Sequence, residues 1–101
     1  MIASAFYKRS LALTELKLDE ARVVDLDERT ELKPARKANA VDIPGFKGGW
    51  FRLRNRRKAF VAMLGGPRVL WLPTRNDYDL LLQPRHPQAL LEHLRKLAHD
   101  R

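Results

Sequence analysis

The chain is 101 residues long and 45% hydrophobic, with 20 Lys and Arg against 12 Asp and Glu, a formal net charge of +8, and no cysteine. A chain of this size buries roughly two thirds of its unfolded surface, which supports a single domain over residues 1–101 with one modest core and no second one. The lack of Cys excludes disulfides, thiolate metal sites and thiol catalysis, while abundant aliphatic residues with scattered Gly and Pro exclude collagen-like, low-complexity and disordered classes.

The first residues, Met1 to Arg9, put apolar side chains before the charges Lys8 and Arg9, the reverse of a secretory signal. The longest uncharged stretch, Ala59 to Pro67, is far short of the ~20 apolar residues of a membrane-spanning helix. The expectation is a cytoplasmic chain without a transmembrane segment, with membrane association through a surface as the alternative. Leu11 and Leu13 open a possible strand, and Arg22 to Leu26 reads as a strand in preference to a helix over Leu13 to Leu26, in which Leu18 and Val23 would leave the apolar face. Lys33 to Val41 is polar, a loop or an edge strand, and Asp42-Ile43-Pro44-Gly45 is a turn.

Beyond that turn the pattern sharpens. Trp50 to Arg54 alternates, with Phe51 and Leu53 on one face and Arg52 and Arg54 on the other. After a turn at Asn55-Arg56, the run Arg57 to Leu64 is apolar on both faces, as a covered central strand would be. Gly65-Gly66-Pro67 breaks the chain, Arg68 to Leu72 is another buried strand, and Tyr78 to Leu82 is the last. Short strands with tight turns predict an antiparallel meander. Pro87 suits a first helical position, and Leu90, Leu91, Leu94, Leu97 and Ala98 recur at helical spacing, predicting a helix over about 87–99.

The charge is uneven along this order. Residues 1–31 carry five bases and seven acids, the remainder fifteen bases and five acids, and the stretch from Lys47 to Arg75 contains no acid at all. Its densest part is Arg52, Arg54, Arg56, Arg57 and Lys58, where several guanidiniums in and around one turn suit a phosphate or carboxylate. Trp50, on the face of Arg52 and Arg54, is the one aromatic placed for exposure, whereas Phe51, Trp71 and Tyr78 are assigned to the core. The plainer alternative is a solvated basic face that keeps the chain soluble and blunts an edge.

Three strings resemble a family of bacterial pleckstrin-homology-like (PH-like) domains. They are Ile43-Pro44-Gly45-Phe46-Lys47-Gly48-Gly49-Trp50-Phe51-Arg52-Leu53-Arg54-Asn55 with Lys58-Ala59-Phe60-Val61, then Arg68-Val69-Leu70-Trp71-Leu72-Pro73-Thr74, and Tyr78-Asp79-Leu80-Leu81-Leu82-Gln83-Pro84. The likeness covers about residues 41–97. It implies a mainly β (α+β) fold, a small antiparallel barrel or two orthogonal sheets capped by the C-terminal helix. The chain departs from the family pattern where Arg56 or Arg57 replaces a turn glycine, where Asn76-Asp77 replaces Asp-Gly, and where His86 replaces an acidic helix cap. The resemblance brings no catalytic residue and no cofactor.

No other constellation carries chemistry. His86, His93 and His99 lack metal-ligand spacing, the acids Asp25, Asp27, Glu28 and Glu31 lack a calcium-loop pattern, and neither Ser4 nor Ser10 sits in a nucleophile elbow. The reading is a non-enzymatic PH-like binding module, without metal or cofactor, that contacts a protein partner or a second copy of itself. The alternative is anionic lipid headgroups at the basic hairpin (Trp50, Arg52, Arg54, Arg56, Arg57, Lys58), and nucleic acid at the same residues is the least favoured.

Overall fold

The computed structural model of the chain describes residues 13–99. Leu11, the start of the first expected strand, lies outside them, and Leu13–Glu15 forms a short 3-10 turn instead of a strand. The strands are β1 (Arg22–Asp25), β2 (Pro34–Ile43), β3 (Phe46–Leu53), β4 (Lys58–Met63), β5 (Arg68–Pro73) and β6 (Tyr78–Leu82), followed by the helix α1 (Pro87–His99). The fold is mainly β with one C-terminal helix. Arg22–Asp25 is a strand, as the sequence pattern favours over a helix, and the polar region after Lys33 lies in a ten-residue edge strand, Pro34–Ile43.

The strands form one sheet in the order β1-β5-β6-β4-β3-β2. All neighbours are antiparallel except β4 and β6, which run parallel with Lys58 opposite Tyr78 and Ala62 opposite Leu82. The expected meander therefore holds for β2-β3-β4 and fails beyond it. The β4–β5 loop steps over one strand position, and β6 returns from its hairpin with β5 to fill the gap. Gly65 and Gly66, with φ of 143° and 79°, permit that step. Gln83 then secures it: its Oε1 accepts from the backbone N–H of Leu64 (2.6 Å) and Gly65 (2.9 Å), and its Nε2 donates to the carbonyls of Gly66 and Arg68.

The described strands make neither a closed barrel nor two orthogonal sheets, since β1 and β2 are the two free edges of a single sheet. That sheet is nonetheless strongly coiled. The backbone N–H of Leu26 bonds Pro67 beside β5, while the carbonyl of Glu31 accepts from Asn55 at the far end of the β3–β4 hairpin. On a flat sheet those sites would lie ~17 Å apart across the strands and ~25 Å along them. The six residue steps from Asp25 to Glu31 reach only ~20 Å when fully extended, and they include a turn in which Glu28 and Arg29 bond back to Asp25. Only a twisted, curled sheet satisfies both anchors.

Because the strands are apolar on both sides, side chains pack on both faces, contrary to the single core expected. The inner, curled face holds Val24, Leu26, Leu32, Phe51, Leu53, Ala59, Val61, Met63, Val69 and Leu81. The outer face joins Phe60, Leu70, Leu72, Tyr78 and Leu80 to Leu91 and Leu94 of α1 and to Leu16, Leu18 and Ala21. The helix packs chiefly on β1, β5 and the Leu13–Glu15 turn. Arg95 anchors it there, donating to the carbonyls of Leu18 (3.0 Å) and Ala21 (2.7 Å).

Candidate anion-binding surface

The β2–β3 hairpin sets the site's geometry. Pro44-Gly45 is the central pair of a type II turn, and Gly45 has the positive φ (85°) its second position requires. The ladder then runs from Ile43 opposite Phe46 back to Pro34 opposite Leu53, with irregularities between Pro34 and Arg36 and between Lys37 and Asn39. Gly49 makes the close crossing possible: a Cβ there would stand 2.7 Å from the Ala40 Cα and 2.7 Å from the Asn39 carbonyl oxygen. The irregularity between Lys37 and Asn39 is what makes Arg36 face Arg52.

Arg52 in turn faces Lys58 of β4. Three cations thus form one cross-strand row, Arg36–Arg52–Lys58, on the same side as Trp50 by strand alternation. Opposed Cβ atoms in such a row lie ~5 Å apart, and like charges placed directly opposite oppose folding. Two unit charges at ~5 Å repel by about 0.8 kcal/mol even at the dielectric of water. Among the described residues the only counter-charge on the row is Asp77, 3.8 Å from the Lys58 Nζ and largely exposed, a pair that offsets little.

The hairpin between β3 and β4 adds the next cations. Asn55 Oδ1 accepts from the Arg57 N–H (2.9 Å), the Arg56 N–H bonds the Leu53 carbonyl (2.9 Å), and Arg56 occupies the left-handed region at φ 74°. This is the turn at which the PH-like pattern has glycine. Arg52 Nη1 donates to the Arg56 carbonyl at 2.9 Å, which holds the Arg52 head beneath the turn. Arg36, Lys37, Ala38, Arg52 and Arg56 line one surface depression of about 590 Å³, and no acid lines it. The side chains of Arg36, Lys37, Arg54 and Arg56 have no ion-pair or hydrogen-bond partner among the described residues.

Two of the expected site residues serve the fold instead. Arg57 donates to Oδ1 of Asp79 from Nε (3.1 Å) and Nη2 (2.8 Å), and Trp71 Nε1 donates to Oδ2 (3.1 Å). Asp79 is 1% exposed, so Arg57 neutralises a buried carboxylate and is not free for a ligand. Trp50 is half-buried rather than an open stacking platform, its ring edge-on to Phe60 (5.6 Å) and Tyr78 (5.2 Å). Arg52, Arg54, Arg56 and Lys58 do share the hairpin as expected. The sequence pattern alone singles out neither Arg36 nor Lys37, although counting back from Pro44-Gly45 brings the Lys33–Lys37 stretch beside Arg52 to Arg54.

The nearby acids do not neutralise this surface. Glu31 reaches the hairpin through its carbonyl, but its carboxylate accepts from Arg29 Nε at 2.8 Å. The Arg29 hydrogen bond is the main cause that lowers the Glu31 pKa from its ordinary value, with a backbone hydrogen bond adding to it. Asp27 pairs with Lys33 (3.3 Å) and Asp42 with Lys47 (2.7 Å). The acidic cluster of the β1–β2 connection is therefore partly consumed by bases inside the same fold. Among the described residues no helix is long and apolar enough to cross a membrane.

What fold and surface define is a small coiled mixed sheet with one terminal helix and an acid-free basic depression at the β2–β3–β4 end. Compared with known proteins, the chain matches no family model, no curated protein and no solved structure.

Proposed function

We propose that this chain is a non-enzymatic PH-like binding module whose partner is an acidic segment of another protein. The observation that carries the reading is the accessibility of β2 and its outer face. Because α1 packs chiefly on β1 and β5, Val41 (51% exposed), Ile43 (55%), Phe46 and Leu64 (68%) are left open on the face of the cation row, toward the opposite end of the same strands. A free sheet edge offers backbone groups to an extended segment, and apolar and basic side chains along it select alternating apolar and acidic residues.

Titration of the isotope-labelled chain with an alternating Glu/Val peptide at low salt tests this. Amide shifts along β2 and β3 that weaken as salt is raised support the reading. Absence of those shifts, or equal shifts with a Lys/Val peptide, refutes it. A second copy in place of the partner would show as concentration-dependent sedimentation. The second reading, anionic lipid headgroups at the hairpin, is favoured by Arg54 and Arg56, both exposed at its tip.

A further inference from the structure

We infer that Arg36, Arg52 and Arg56, flanked by Lys37 and Lys58, form a discrete site for a phosphate monoester dianion. This rests on the binding-module reading and names the chemistry of one subsite within that surface. Three features of the geometry converge on it.

The first is the cross-strand row itself. Strand register holds Arg36, Arg52 and Lys58 side by side on three strands, an arrangement that opposes folding unless the heads splay into solvent or share an anion. The second is preorganisation. The Arg56 carbonyl takes one N–H of Arg52, so the head is held in place before a ligand arrives, and its remaining donors stay available. The third is strain: Arg56 sits at φ 74° in a turn position where glycine is cheaper by about 1–2 kcal/mol. Backbone strain of this kind clusters at ligand-binding positions.

The ligand class follows from charge and valence. A carboxylate has one charge and two oxygens, which one guanidinium fork satisfies. Three guanidiniums around one depression leave two forks unmatched by such a group. A phosphate monoester offers three terminal oxygens and a charge of about −1.5 to −2 at neutral pH, so it accepts from all three at once. Phosphate diesters carry a single charge and two free oxygens and fit less well. The monoester comes either on a soluble molecule or on a lipid headgroup, and the chemistry recognised is the same.

The test is calorimetric and amide-shift titration of the whole chain with glycerol 3-phosphate and with acetate. Two vesicle arms carry phosphatidic acid, a monoester, or phosphatidylglycerol, a diester. Saturable binding of glycerol 3-phosphate, with shifts at Arg36, Arg52 and Arg56, supports the site. So does a preference for phosphatidic acid over phosphatidylglycerol, which further assigns the phosphate to a headgroup. Arg36→Ala and Arg52→Ala weaken phosphate binding at least tenfold, and Arg52→Lys weakens it several-fold because the charge stays but the fork is lost. Arg75→Ala, remote from the row, leaves it unchanged. Arg36 lies on an exposed edge strand, so its variant reports even if Arg52→Ala proves unstable. Equal responses to phosphate and acetate, equal binding of both vesicles, or the same loss in Arg75→Ala overturns the site. Response to the Glu/Val peptide without any to phosphate removes the subsite and keeps the module, whereas the reverse removes the acidic-segment partner.

Discussion

Arg56→Gly should make the protein more stable and a poorer binder. Arg56 adopts φ 74°, where a side chain costs about 1–2 kcal/mol relative to glycine. Glycine also gives the unfolded chain more freedom, which returns about 0.4–1 kcal/mol of that gain. The net is about 0.5–1 kcal/mol of added stability, or roughly 3–6 °C in midpoint for a domain of this length. The backbone contacts of the turn survive the change, since the Arg56 N–H still bonds Leu53 and its carbonyl still accepts from Arg52. Arg56→Ala is the matched control: it removes the same guanidinium but keeps the Cβ, and with it the strain. Thermal and urea unfolding of the two variants, alongside the phosphate titration, separate backbone from side chain. Both variants should bind phosphate more weakly, and only Arg56→Gly should gain stability. A glycine variant no more stable than the alanine one would show that the turn is not strained, and the strain argument for the site would fall.

Arg57→Ala leaves the buried Asp79 with the Trp71 donor alone. Removing one partner of a buried pair costs about 3–5 kcal/mol, but the Arg57 side chain is 42% exposed, so solvent screening reduces this to about 2 kcal/mol. Urea unfolding checks it against Arg54→Ala, expected within about 0.5 kcal/mol of the parent, and similar losses in both would refute the structural role of Arg57. Gly49→Ala forces a Cβ against the Ala40 and Asn39 backbone at a positive φ of 117° and should cost about 2–4 kcal/mol. Gly65→Ala, with open space around it, should cost about 1 kcal/mol. Arg29→Gln should return the Glu31 pKa toward the ordinary carboxylate range, read by carbon-detected NMR titration. Since the folded value is depressed, the Glu31 contribution to stability is present above its unfolded pKa and is lost as pH falls through the folded one, and Arg29→Gln should flatten that dependence.

How far the fold was readable depended on whether the deciding contacts were local. The type II turn at Pro44-Gly45, the hairpin at Asn55-Arg56 and the helix from Pro87 are each specified by residues within a few positions, and each forms where the spacing puts it. The placement of β6 between β4 and β5 is not local. Arg57 to Leu64 and Arg68 to Leu72 are apolar on both faces whichever strand lies between them, so periodicity identifies them as central without saying what they adjoin. The deciding contacts are the Gln83 amide on the β4–β5 loop and the Arg57–Asp79 pair, 22 residues apart in sequence. An aspartate in an otherwise apolar strand, Tyr78-Asp79-Leu80-Leu81-Leu82, was the one sign that a cation had to meet it.

The same distinction explains the site. Sequence neighbours Arg54, Arg56, Arg57 and Lys58 look like one cluster, yet the strand pleat and the turn send them in different directions. Arg57 goes inward to Asp79, Lys58 joins the outer row, and Arg54 stands clear in solvent. The residue that completes the depression, Arg36, is sixteen positions from Arg52 and is brought opposite it only through the register irregularity between Lys37 and Asn39. Regular pairing from the Pro44-Gly45 turn would oppose Lys37 to Arg52 and place Arg36 against Leu53, on the other face of the pleat. The irregularity at Ala38 therefore places a guanidinium, Arg36, in the row where regular pairing would place the ammonium of Lys37. A substitution that restores regular pairing near Ala38 should weaken phosphate binding several-fold without removing a single charge, because Lys37 takes the place of the Arg36 fork, and a field-only account of this surface predicts no change.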